Sequence, residues 1–152
     1  MKTHIVWLAL LGVIACAKSS TTGDETAAAA GSVSAASALQ GPRWRLVELE
    51  GEPALTGGGA REPHLIFSRD SVDRVGGATG CNSMGGRYTA EGERIRFADL
   101  FSTKMACVEE ERMRQETRFV GALGRVDRYA ISGDTLTLSE GGTVVARFVK
   151  GQ

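Results

Sequence analysis

The residues of this chain best able to do chemistry are three cysteines, one histidine within its body and a run of three glutamates. Cys81 and Cys107 offer two thiols, but no Cys-x-x-Cys spacing marks a redox pair, and neither has a histidine near it in sequence. A thiolate zinc site would need two further ligands from dispersed carboxylates, which no motif signals. His64 sits at a predicted strand start, where a surface or half-buried structural role is expected. Glu109, Glu110 and Glu111 open a segment of helical periodicity, and carboxylates there suit the positive end of a helix dipole better than a metal. No Gly-x-Ser-x-Gly elbow and no Ser-x-x-Lys occur, and no glycine-rich stretch carries the Gly-Lys-Ser/Thr of a phosphate loop. Gly76-Gly77 and Gly85-Gly86 are therefore expected to be turns or bulges, and Asn82 a turn former bonded to nearby backbone. No catalytic, metal or cofactor-binding residue is assigned.

The first cysteine has a different setting. After Lys2 and His4, Ile5–Ala15 runs eleven residues without a charge. A membrane-spanning helix needs about 20 apolar residues, so this run has the length of a secretory signal core. It ends in Val13-Ile14-Ala15-Cys16, which resembles the lipobox of bacterial lipoprotein precursors. Cleavage before Cys16 and acylation of that residue are expected, making residues 1–15 a signal peptide and Cys16 a lipid anchor in the membrane. Ala17 follows it where an Asp often signals inner-membrane retention, so the expected place is the outer membrane, facing the periplasm. In an exported domain the remaining pair, Cys81 and Cys107, is read first as a disulfide, with two buried reduced thiols as the alternative.

The elements that must position these residues follow from composition and period. The 152 residues carry 18 basic and 18 acidic side chains, so no global field favours nucleic acid, and a hydrophobic fraction of 42% is that of a globular chain. Residues 16–41 are the lipidated cysteine and an Ala/Ser/Gly-rich stretch in which only Val33 and Leu39 are large and apolar, a composition expected of a flexible tether. Residues 42–152 form the expected domain. Trp44 to Leu49, Leu65 with Phe67, Val72 to Val75, and the arms around Glu91-Gly92-Glu93 predict strands and a hairpin. Met113, Val120 and Leu123 recur at helical spacing with Glu116 and Phe119 beside them, and Gly124 is the expected helix end. Three more strands follow: Tyr129 with Ile131, Leu136 with Leu138, and Val144 with Ala146 and Phe148. The fold class is α+β and β-rich: an antiparallel sheet or partly open, barrel-like meander with one substantial helix.

Two segments, Gly76-Gly77-Ala78-Thr79-Gly80-Cys81-Asn82 and Leu100-Phe101-Ser102-Thr103-Lys104-Met105-Ala106-Cys107, resemble the paired signatures of the META/HslJ domain family. Trp44 with Leu46, Leu65 with Phe67, Tyr88, Ile95 with Phe97, Glu116 with Phe119, and Gly133-Asp134-Thr135-Leu136 extend the match over nearly all of residues 43–149. Lys104 stands where the family usually has Arg, and Val108 where Pro often follows the cysteine. The resemblance implies a small β-rich envelope domain, often a lipoprotein, linked to heat shock and stress tolerance, without an established reaction. The expected function is a non-enzymatic binding or stabilising module, monomeric, without cofactor, and engaging an envelope protein or ligand. The competing classes are an inhibitor pressing loop 51–63 or 99–106 into a secreted hydrolase, and an enzyme built on Cys81 or scattered carboxylates.

Overall fold

The computed structural model describes residues 35–56, 62–105 and 108–151. The expected signal peptide, Cys16, Cys107 and the glycine run 57–59 lie outside them. Among the described residues, no helix is long and apolar enough to cross a membrane.

Among the described residues, nine strands follow a short helix, α1 (Ala35–Leu39). They are β1 (Arg43–Leu49), β2 (Glu52–Pro53), β3 (His64–Arg69), β4 (Asp73–Ala78), β5 (Ser83–Glu91), β6 (Arg94–Ser102), β7 (Arg128–Ser132), β8 (Thr135–Glu140) and β9 (Thr143–Gly151), with helix α2 (Glu110–Arg125) between β6 and β7. The strands form one antiparallel sheet in the order β2-β1-β3-β4-β5-β6-β7-β8-β9, and β1 pairs with β9 as well, so the sheet turns back on itself in a partly ring-like arrangement. Its weak seam is β6 to β7, where Arg94 opposite Arg128 is the single register pair.

Period-2 alternation drives this curvature. Leu65 and Phe67, Leu136 and Leu138, Ile95 on β6 and Tyr88 on β5 all point inward and bury their side chains. Tight turns return each strand to its neighbour. Gly92-Glu93 links Glu91 to Arg94, and Gly141-Gly142 links Glu140 to Thr143 with both glycines at positive φ, a combination that matches strand twist. Inside the ring, Phe67 meets Tyr88 edge to face at 5.0 Å, and Phe119 of α2 lies 6.0 Å from Phe148.

Five expectations are corrected by the packing. Leu39, counted in the tether, is 0% exposed, and its carbonyl accepts the indole N–H of Trp44 at 2.9 Å. Gln40 bridges to Phe67 in parallel, so the ordered domain begins before residue 42. On β9, Val145 rather than Val144 turns inward, because a bulge opposite Leu138 and Ser139 adds one residue and shifts the alternation. Its carbonyl accepts from Glu50 N–H at 2.8 Å. Helix α2 buries Gln115, Phe119, Ala122 and Leu123. Met113 lies six residues before Phe119, roughly 120° around the helix from it, and stays exposed. The helix also runs past Gly124 to Arg125, with Val126 N–H closing it onto Leu123 O. Finally, the glycine pairs are interior to β4 and β5 and make no turns, Gly76 opposite Gly85 and Val75 opposite Gly86. Of the turns or bulges expected there, only the irregularity at Gly85-Gly86 is found, where the β5–β6 register shifts. A Cβ on Gly77 would stand 2.0 Å from His64 O, and one on Gly85 2.6 Å from the Phe101 ring, so these positions admit close approach rather than make turns.

Candidate functional site

Asn82 ends the β4–β5 turn, in which Thr79 donates its N–H and its hydroxyl to Asn82 O at 2.9 and 3.1 Å. The turn aims the Asn82 side chain inward, where it is almost fully buried. Its Nδ2 donates to both carboxylate oxygens of Glu116, at 2.8 and 3.0 Å, and lies 3.4 Å from Met105 O. Its Oδ1 accepts from Met105 N–H at 2.7 Å and from the Thr103 hydroxyl at 2.8 Å. Both donor hydrogens and both lone pairs of the amide are thereby used. Thr103 N–H donates to Ser83 O at 3.0 Å, which extends the β5–β6 ladder by one further bond.

The preceding helical residue makes a second clamp. Gln115 Oε1 accepts Leu55 N–H at 2.6 Å, and its Nε2 donates to Leu55 O at 3.3 Å, so the side-chain amide pairs with backbone as a strand would. A third tie joins α2 to the β1–β2 turn. Glu50, at φ 51, takes Arg118 Nε at 2.8 Å and Arg125 at 2.9 Å on its two oxygens. The Arg118 hydrogen bond, more than the partial burial that opposes it, holds the Glu50 carboxyl below its usual range. One helix thus holds the segments 50–55 and 79–82, and through Asn82 the segment 103–105.

Held by the Asn82 clamp, the end of β6 and the segment after it present apolar side chains to solvent. Phe101 is 65% exposed with its ring against Gly85, and Met105 is 64% exposed. Val108 is fully exposed. Residues 99–102 of the expected 99–106 loop belong to β6, where Asp99 takes φ 52 and pairs with Arg87. Lys104 is exposed.

The remaining candidate residues do not converge on this place. His64 is buried, with Nδ1 2.8 Å from Glu62 O and 3.1 Å from Arg43; it donates to the first or accepts from the second according to tautomer. Burial pushes its pKa down, against the carbonyl of Glu62. Glu109 and Glu110 pair with Arg112 and Arg114 at the start of α2, as a solvated helix start requires. Cys81 is half-buried beside Asn82. Among the described residues no group of three or more His, Cys, Asp or Glu could hold a metal ion.

Sequence reasoning missed the reach of Asn82, which was expected to bond locally but instead joins residues 21 to 34 positions away. The paired signatures carried the signal: Asn82 ends one, Thr103 and Met105 lie in the other, and Glu116 is an outlying match. Their meeting point defines the class, a small β-rich domain whose one substantial helix clamps the loops at one end of a curved antiparallel sheet. The chain belongs to the META domain family, whose match spans residues 37–152. It is similar to a protein from Burkholderia xenovorans solved by NMR, with 22% identity and a TM-score of 0.63, over 78% of this chain and 87% of that one. A second NMR structure matches at 18% identity and a TM-score of 0.58, over 74% of this chain and 92% of the other. Both likenesses concern the fold. No curated protein matches the chain.

Proposed function

We propose that this chain is a non-enzymatic envelope lipoprotein module that works in stress tolerance by binding a partner protein through the surface of residues 99–105. The observation that carries the reading is the Asn82 clamp. A fully satisfied buried amide fixes the backbone at Met105, so the exposed Phe101 and Met105 are offered in a set geometry. Large apolar side chains held in place beforehand lose little entropy on binding, which favours their use as interface anchors. In this reading Cys16 carries the lipid, the outer membrane is the place of residence, the domain is a monomer, and a Cys81–Cys107 bridge braces the same loop. Cys81 is not a free thiol, which supports the last point.

The second reading is an inhibitor of a secreted hydrolase, favoured by the same exposed Phe101 and Met105 on a braced segment. Photo-crosslinking from position 101 in intact envelopes separates the two. An assembly or chaperone partner supports the first, and a hydrolase the second. Crosslinks from Thr143 at the start of β9, with none from positions 101 or 105, would overturn both.

A further inference from the structure

The ladder between β4 and β5 stops at Arg74 opposite Arg87. Strand β5 nevertheless continues beside β6 as far as Glu91 opposite Arg94. The β5–β6 hairpin therefore outruns β4 by four residues, while Asp73 turns away with β3, its carboxylate taken by Arg69. Side chains that a longer β4 would cover are left beside an open groove of about 580 Å³. Its apolar surface comes from Val72, which is 42% exposed, and Ala98 of β6, with Phe97 at its border, where the ring turns to the inner face and lies 6.2 Å from Phe67. Three charged side chains line it as well: Asp73, whose carboxylate is taken by Arg69, and the two arginines Arg87 and Arg96. Arg87 is paired with Asp99, whereas Arg96 has no ion pair among the described residues and stands opposite the neutral Thr89.

A groove of this volume is in the range that takes a small molecule, and an unpaired guanidinium beside apolar surface selects the ligand's shape of charge. The guanidinium offers a planar fork of donors to a carboxylate or similar oxyanion, while the apolar wall takes a hydrocarbon body. Asp73 is answered by Arg69 and Arg87 by Asp99, so a cation would meet carboxylates already paired and the one lining charge without an ion pair among the described residues, Arg96. A neutral chain would bury the same area but leave Arg96 unpaired.

We propose that the groove between the start of β4 and the β5–β6 hairpin binds a small anionic amphiphile, a medium-chain carboxylate being the simplest member, with Arg96 holding the oxyanion and Val72 and Ala98, which shares the Arg96 face of β6, meeting the chain. This site is separate from the Phe101 and Met105 surface and does not depend on the partner-binding reading.

The test is an amide-shift titration of the full chain with decanoate below its micelle concentration, beside decanol and decyltrimethylammonium. Decanoate should move the amides of residues 72–73, 87–89 and 96–98 and bind at least tenfold more tightly than either control. Arg96→Gln should weaken decanoate about tenfold and leave decanol unchanged, Arg96→Lys should fall between, and Arg147→Gln, on β9, should change nothing. Equal affinity for decanol and decanoate, shifts confined to residues 101–105, no saturable binding, or an Arg96→Gln chain that binds decanoate as well as the parent would each overturn the proposal. Val72→Trp, at an exposed position, should block the groove for every probe, and a variant that binds unimpeded would count against this location.

Discussion

The side-chain amide of Asn82 stands 2.8 and 3.0 Å from the two carboxylate oxygens of Glu116, joining the β4–β5 turn to helix α2 across 34 residues of sequence. Removing the amide leaves Met105 N–H and the Glu116 carboxylate short of a partner in a place water reaches poorly. Asn82→Ala should therefore cost about 2–4 kcal/mol. Asn82→Asp keeps the shape but sets one carboxylate against another, so at neutral pH it should cost about as much or more, and recover part of that in mild acid. Urea unfolding at pH 7 and pH 5 checks both, and a loss below about 0.5 kcal/mol for either variant at pH 7 would deny the clamp its role.

Leu39 makes the next test. The Ala/Ser-rich composition around it predicts a tether through residue 41, yet its side chain is fully buried and its carbonyl is the acceptor for Trp44. Leu39→Ala should cost about 2–5 kcal/mol by leaving a cavity in the core. A fragment of residues 42–152 should melt well below one of residues 35–152, and equal melting temperatures would return the boundary to residue 42.

The alternation of Leu65 with Phe67 and of Leu136 with Leu138, punctuated by Gly92 and Gly141-Gly142, made the strands and their antiparallel order readable, because period 2 and turn chemistry are local properties. What failed to read were choices made by tertiary contact. The bulge at Val145 is one residue that flips two faces, and nothing beside it in sequence announces it. Met113 fits a helical stripe as well as Gln115 does until the sheet decides which stripe is covered. The glycine pairs read as turns or bulges; the shift at Gly85-Gly86 fits the second, but the Phe101 ring and the His64 carbonyl that crowd the pairs are distant in sequence and could not be read. Asn82 was legible only through its place in a family signature, since its partners lie at residues 103, 105 and 116. The groove beside Arg96 arises from unequal strand lengths, which composition does not reveal.

Tyr129 is buried, and its hydroxyl has no hydrogen-bond partner among the described residues. Burial pushes its pKa up. The unmet hydroxyl opposes folding, so Tyr129→Phe should be neutral or stabilising by up to about 1 kcal/mol. Tyr88 is the contrast, because its hydroxyl accepts from Gln40 Nε2 at 3.2 Å. Tyr88→Phe should cost about 0.5–1.5 kcal/mol. Thermal melts of the two variants check the sign, and a destabilised Tyr129→Phe would mean that the hydroxyl has a partner after all.

His64 predicts a pH dependence. Burial lowers its folded pKa below the ordinary value near 6.5, so the unfolded chain binds the proton more readily. Its contribution is therefore complete above about pH 7 and is lost as pH falls through the folded pKa. Glu50 and Asp73, whose carboxyls are held low by hydrogen bonds from arginine, lose theirs only in stronger acid. Stability measured by urea unfolding should fall between pH 7 and pH 5 in the parent and stay flatter in His64→Gln. A parallel fall in both would assign the effect elsewhere.

The last expectation concerns Cys81 and Cys107. Cys81 adjoins Asn82, whose Oδ1 accepts Met105 N–H at 2.7 Å, and Cys107 is two residues further along the chain. Two residues reach about 7 Å when extended, and a disulfide needs its Cα atoms roughly 4.4–6.8 Å apart, so the chain length beyond Met105 allows the expected bridge. A bridge there closes a loop of roughly 27 residues, worth about 3.5 kcal/mol in the chain-entropy model before any strain is subtracted. Reduction of the purified protein should lower its melting temperature by the equivalent of about 2–4 kcal/mol. Cys81→Ser, Cys107→Ser and the double variant should lose nearly the same amount, because one broken bond is common to all three. The clamp predicts one thing more. In Asn82→Ala the loop is no longer held at Met105, so the bridge should become easier to reduce, and the losses from Asn82→Ala and from reduction should not add. Intact mass with and without alkylation reads the redox state directly. Two thiols that alkylate rapidly in protein taken from the envelope, with stability indifferent to reductant, would remove the bridge and reopen a reactive role for Cys81.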